Sequence, residues 1–200
     1  PLAQWVEPLR APAWGHDLWT IPPNSQGYLT LLGARIADGL SLPDDPADPT
    51  WVHLLVEAAR AAGHDRPSVL FDGADVTSLL ADDEVERWRR LIDPERRSSL
   101  PTPVGAGGTM HLCAADADGG AVSLIQSNAS GFGSLVFEPS TGIGLHNRGI
   151  GFSLEPGHPA EYGPGKRPPH TLSPAMVTAP DGSLRAAVGT MGGDGQPQIL

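Results

Sequence analysis

Two hydrophobic rhythms divide the chain. Through about residue 92 apolar residues recur every three or four positions; from residue 109 onward they alternate. In the first half, Pro22-Pro23-Asn24-Ser25 punctuates the entry to a helix, with Asn24 or Ser25 as its cap, and Leu29, Leu32, Ile36 and Leu40 follow at helical spacing. A polar, proline-rich loop, Ser41 to Pro49, ends with Asp48 as cap and Pro49 at the first helical position. The next helix is expected over residues 50–62, with Val52, Leu55, Val56 and Ala59 as its apolar stripe. A third covers 82–92, with Val85, Trp88, Leu91 and Ile92 facing inward. Residues 1–23, rich in Trp and Pro, suit an extended segment packed on something else. Residues 94–108 lose periodicity and become a Ser/Pro/Gly linker.

The second half reads as short strands. His111–Ala115 and Ala121–Ile125 flank Asp116-Ala117-Asp118-Gly119-Gly120, where Asp-Gly signals a hairpin. The same residues resemble the opening of a calcium loop, but the later acidic ligand of that motif is missing, so the hairpin is the expectation. Further strands are expected near 135–137, 143–146, 175–178 and 184–188. Most of the 25 glycines lie in this half, which implies tight turns and close backbone approach. The fold class is therefore α+β: a helical first half followed by an antiparallel, β-rich second half.

Composition narrows the function. A formal charge of −10 with a single lysine, Lys166, argues against nucleic-acid and anionic-membrane partners. The basic run from Arg87 to Arg97, interrupted by Asp93 and Glu95, reads as a solvated helix face. A lone cysteine, Cys113, excludes an internal disulfide or a cysteine-based zinc site, and its apolar surroundings suggest a buried, inert thiol. The seven histidines show no metal-ligand spacing, so neither metal nor organic cofactor is expected. No stretch approaches the roughly 18 apolar residues of a membrane span. The chain begins at Pro1 without a visible signal peptide and reads as a fragment or processed piece. The compartment stays open, with the cytoplasm favoured over export. Gly142-Ile143-Gly144 and Gly192-Gly193-Asp194-Gly195 complete neither the dinucleotide fingerprint nor the P-loop spacing. Lys166-Arg167, between prolines, could bind an anion or fix a loop; the loop is favoured.

The boundary between the two rhythms falls at Gly107-Gly108-Thr109-Met110-His111-Leu112. Cleavage of the Gly108–Thr109 bond would give Thr109 a hydroxyl and a free α-amine on one residue. That amine titrates near pH 8 (roughly 7.7–8.0 unperturbed), so it can take the hydroxyl's proton at neutral pH. His111, two residues on, could help position the amine or be structural.

Gly108-Thr109-Met110-His111-Leu112, together with Asp118-Gly119-Gly120-Ala121-Val122-Ser123 and Gly131-Phe132-Gly133-Ser134, resembles the γ-glutamyltransferase family. Further matches are Thr141-Gly142-Ile143, Asn147, Pro164-Gly165-Lys166-Arg167-Pro168, Ser173-Pro174 and Gly189-Thr190-Met191-Gly192-Gly193. Upstream, Pro22 to Gly27 and His53 to Ala58 resemble the end of that family's large subunit. The resemblance implies an αββα N-terminal-nucleophile hydrolase, here partial, made as a self-cleaving precursor. Residues 1–108 would be the C-terminal part of the large subunit and 109–200 most of the small one. The front of the large subunit, carrying the family's substrate-carboxylate arginine, would lie outside these residues. Processing would give an αβ heterodimer acting on small amide substrates.

Position by position, the resemblance makes Thr109 the nucleophile and its freed amine the base. Ser127 becomes the supporting hydroxyl, and Gly192 and Gly193 the oxyanion hole. It also shows departures. Where the family holds the substrate's α-amino group with an Asn, a Gln or Glu, and an Asp, this chain has Ala129, Arg148 and Gly151. The serine pair that contacts the substrate carboxylate becomes His170-Thr171. Glu155-Pro156-Gly157-His158-Pro159 and Thr190-Met191-Gly192-Gly193-Asp194-Gly195-Gln196-Pro197-Gln198 resemble a side branch of γ-glutamyltransferase-like proteins and cephalosporin-type acylases. Such a site could take an acyl chain lacking the α-amine, for example glutaryl, with Arg148 reading its far carboxylate. The rival expectation is a non-catalytic, unprocessed remnant kept for binding or assembly.

Overall fold

The computed structural model describes residues 3–100 and 109–200, and its architecture is α+β. Residues 9–20, within the segment expected to be merely extended, form a hairpin of β1 (Leu9–Ala13) and β2 (His16–Thr20). Its two-residue turn, Trp14-Gly15, has φ of 50° and 71°, the pair of positive values that suits the twist of a tight hairpin. The helices follow: α1 (Tyr28–Asp38), α2 (Pro49–Gly63), the single turn α3 (Arg66–Val69), and α4 (Asp82–Arg89). Beyond the linker come β3 (Met110–Ala115), β4 (Ala121–Gln126), β5 (Phe137–Glu138), β6 (Ile143–Gly144), β7 (Ala175–Thr178), β8 (Leu184–Val188) and a last turn, α5 (Gln196–Ile199).

The helical core forms where α1, α2 and α4 meet, from Leu32, Ile36 and Ala37, then Ala58, Ala61 and Ala62, then Val85 and Trp88. As expected, Asp48 caps α2, its carboxylate accepting Thr50 N–H at 2.8 Å with Pro49 in the first turn. The stripe of α2 is the expected one only in part: Leu55 packs against this core. Val52 and Val56 are exposed, and Leu54, Ala58, Ala61 and Ala62 are buried instead. The inward face also carries Glu57 and Arg60, paired at 2.6 Å. Burial would raise the Glu57 carboxyl's pKa, but hydrogen bonds from Ser98 and the Arg60 partner bring it below the usual range. Two polar residues that satisfy each other inside cannot be told from surface residues by hydropathy. Leu91, expected inward, is exposed because α4 ends at Arg89. Neither Asn24 nor Ser25 caps α1, whose N-cap is Gly27; Ser25 Oγ donates instead to Leu172 O in the second half.

One sheet joins the two halves. Its order is β1-β2-β7-β8, every neighbour antiparallel, so a strand from before residue 20 pairs with one from after 174. Around this seam Trp19 Nε1 donates to Thr178 Oγ1 (2.9 Å), Thr20 Oγ1 to Pro174 O (2.8 Å), and Asn24 Nδ2 to Pro168 O (2.6 Å). Lys166-Arg167 fixes a loop. Arg167 holds Asp72 at 2.8 Å, and Lys166 Nζ donates to Glu161 O at 3.1 Å.

β3 and β4 form a separate two-stranded hairpin, in register from Met110↔Gln126 to Ala115↔Ala121. Its turn is closed by Asp116, whose Oδ1 accepts the N–H groups of Asp118 and Gly120, with Gly119 at φ 88°. Cys113, expected buried, is exposed, because a two-stranded hairpin cannot bury a whole strand. Among the described residues, no helix is long and apolar enough to cross a membrane, and no group of His, Cys, Asp or Glu could hold a metal ion.

Candidate active site

Thr109 heads β3. The β3–β4 register, continued by one residue, sets it opposite Ser127. Both line one cavity of about 400 Å³, a volume in the range of small-molecule sites. The same cavity is lined by Arg148, His170, Thr171 and Gly193, so six of the residues singled out from sequence converge on one space. Gly192 lies next to it but not on its wall. Gly108 falls outside the described residues.

Each wall has a local cause. After β4 the chain turns through Ser127, whose Oγ accepts Ala129 N–H at 2.9 Å, and Ala129 takes φ 76°. Asn147 staples this turn: its Oδ1 accepts Ser130 N–H (2.9 Å) and its Nδ2 donates to Gly133 O (3.1 Å). That anchor presents the next residue, Arg148, at the start of a short 3-10 turn, Arg148–Gly151. Opposite, Asn24 O and Gln26 N–H bracket His170 through its backbone at 2.9 and 3.0 Å.

The glycine loop is also held from the first half. Buried Gln26 donates from Nε2 to Gly193 O at 3.0 Å. Gly192 and Gly193 take φ of 139° and 56°, and a Cβ on Gly192 would sit 2.9 Å from Ile199 Cδ1. Glycine is required at 192 by conformation, since the exposed Ile199 side chain could move aside. Asp194, next in line, forms an ion pair at 2.9 Å with Arg66 from α3.

Arg66 lay outside the sequence expectations because residues 64–75 carry no hydrophobic period. The signal was present as Asp65 before Arg66-Pro67, an acidic residue and a proline at a helix start. Gln26 was visible only as part of a motif. His111 Nε2 lies 3.1 Å from Ser123 Oγ, and Ser123 donates to Val188 O at 2.9 Å.

The cavity's charge is shaped by burial. Burial pushes the Arg148 guanidinium below its ordinary pKa, opposed by the nearby Asp194 carboxylate. Burial, then the charges of Arg148, Arg167 and Arg66, bring the His170 imidazole down to about 4. Its Nδ1 accepts Leu172 N–H at 3.2 Å, a bond that only the unprotonated nitrogen can make.

The fold recurs in a solved structure. A cephalosporin acylase from Bacillus halodurans superposes with a TM-score of 0.85 at 37% identity, over 98% of this chain and 36% of that one. With residues 2–200 matching its family model, the chain belongs to the gamma-glutamyltranspeptidase family. An oxamate amidohydrolase proenzyme of Klebsiella pneumoniae is 40% identical over 185 residues, covering 90% of this chain and 35% of its own. A glutathione hydrolase-like proenzyme of Bacillus subtilis is 38% identical over 205 residues, covering 98% and 38%. The chain thus spans little more than a third of the length of the relatives it matches.

Proposed function

We infer that the chain belongs to an acyl-amide hydrolase or acyltransferase that cleaves its own Gly108–Thr109 bond and then uses Thr109 as nucleophile. The observation that carries this reading is the position of Thr109, at the head of β3 and on the wall of the cavity with Ser127 and Gly193. Thr109 Oγ attacks the acyl carbonyl while its own α-amine takes the hydroxyl proton. The oxyanion of the tetrahedral intermediate faces the backbone at Gly192-Gly193. The amine then returns the proton to the leaving nitrogen as the C–N bond breaks. Water or an amine acceptor releases the acyl group from Thr109 by the reverse sequence. Ser127 supports the nucleophile with a hydroxyl, and no cofactor enters.

Several relatives are named proenzymes, which supports self-cleavage into an αβ heterodimer. Their names also support small amides, γ-glutamyl or related, as substrates. A large-subunit segment beyond these residues completes the pocket.

Mass spectrometry of the full-length product tests the reading. Two polypeptides are expected, one beginning at Thr109, with turnover of acyl p-nitroanilides. Thr109→Ala should leave one intact chain and lower turnover by about 1,000-fold or more. A wild-type chain that stays intact and inactive would establish the unprocessed remnant instead.

A further inference from the structure

The buried pair Glu57 and Arg60 directs more of its hydrogen bonds at the linker than at itself. Glu57 is 2% exposed and Arg60 3%, and a single bond joins them. The other Glu57 oxygen, Oε2, accepts Ser98 N–H at 2.9 Å. Arg60 Nη2 donates to Ser98 O at 3.0 Å and also to Leu100 O. A buried ion pair gains little over apolar side chains of similar volume, so stability alone gives no reason for one here. The outward bonds do, because they hold main-chain groups of a segment that belongs to no helix or strand.

One turn earlier on the same helix face, His53 Nε2 donates to Asp93 O at 2.9 Å. His53, Glu57 and Arg60 stand at i, i+4 and i+7, so they form one row along α2. Along that row from His53 to Arg60, the partners advance from Asp93 to Leu100. The linker therefore runs beside α2 in the same direction, toward the helix's C-terminal end. α3 follows, and its Arg66 and Pro67 line the cavity that holds Thr109. The row steers the linker toward the nucleophile and shortens what is left of it. Nine residues lead from Leu100 to Thr109, a reach of about 30 Å at most. From the end of α4 at Arg89 the count is twenty.

We propose that Glu57 and Arg60 are positioning residues for self-cleavage: by pinning Ser98 and Leu100 they restrict the chain that carries the Gly108 carbonyl. In that step Thr109 Oγ bonds to the Gly108 carbonyl carbon as the Gly108–Thr109 C–N bond breaks, and the hydroxyl proton passes to the leaving nitrogen. Water then hydrolyses the ester, freeing Gly108 as a carboxylate and restoring the Thr109 hydroxyl. This role rests on Thr109 cleaving its own peptide bond. Once that bond is cut, the pair has no part in amide turnover.

The full-length precursor, made by cell-free synthesis and sampled over time on denaturing gels, tests the role. Removing one partner strands a buried charge and endangers the fold, so the variant is the double replacement Glu57→Leu with Arg60→Met. It should slow release of the Thr109 chain by about threefold or more, the factor by which lengthening a tether from nine to twenty residues dilutes its end. The kcat/KM per cleaved molecule should keep its wild-type value. Asp48→Ala, which weakens α2 from its start without touching the linker, should cleave at the wild-type rate. Unslowed cleavage in the double variant overturns the proposal. So does equal slowing in Asp48→Ala, which would reduce the pair to a stabiliser of α2. In Thr109→Ala, which cannot cleave, hydrogen exchange at the Ser98 amide reads the pin directly. The double replacement should speed it by at least about tenfold, and unchanged exchange overturns the pinning. A wild-type chain that never cleaves overturns the self-cleavage reading itself, a failure distinct from either of these.

Discussion

His170 shows how one side chain couples the cavity to pH. Its pKa falls from 6.5 to about 4 in the folded protein, so below pH 6.5 the unfolded chain binds a proton that the native one refuses. Stability is therefore full above pH 6.5 and declines as pH drops toward 4, by about 3 kcal/mol at most. His170→Gln, which cannot titrate, should flatten that part of the curve. Urea denaturation of both proteins at pH 7, 5.5 and 4.5 checks this through the change in slope with pH. At this scale the candidate site was legible: Thr109, Ser127, Arg148, His170, Thr171 and Gly193 were all named from sequence and line one cavity. What brought them forward was the joint motif pattern, since Gly-Gly-Thr alone is ordinary loop sequence. Arg66 and Gln26 were not legible as parts of the site, because each acts through a partner over a hundred residues away.

Among the elements, legibility followed the strength of local signals. The start of α2 was readable because Asp48 and Pro49 satisfy the helix end by themselves. Asp48→Ala should cost about 1 kcal/mol, measured by chemical denaturation. The β3–β4 hairpin was readable because its turn chemistry is contained in five residues. β1 and β2 were not, since their prolines and tryptophans obscure the alternation and their stability depends on β7. The buried Glu57–Arg60 pair misled the reading of α2 for the same reason: the satisfaction of a polar group lies in tertiary contacts.

At the level of the whole molecule, the sheet order β1-β2-β7-β8 places strands from both sides of the Gly108–Thr109 bond side by side. Cleavage there would remove no strand pairing among the described residues. The two polypeptides should stay together through native gel filtration and separate only in denaturant, with both masses recovered from one peak. Ion pairs across the seam, Arg66–Asp194 and Arg167–Asp72, add to the ladder. In the uncut chain β2 meets β7 as two parts of a tethered chain, at a loop-closure cost that does not vary with protein concentration. In a cleaved protein the same meeting would be a bimolecular encounter. An uncut chain would thus recover from unfolding equally well at any dilution, whereas a cleaved pair would reassemble more slowly the more it is diluted, so that cleavage would leave the protein an easy route to its shape only once.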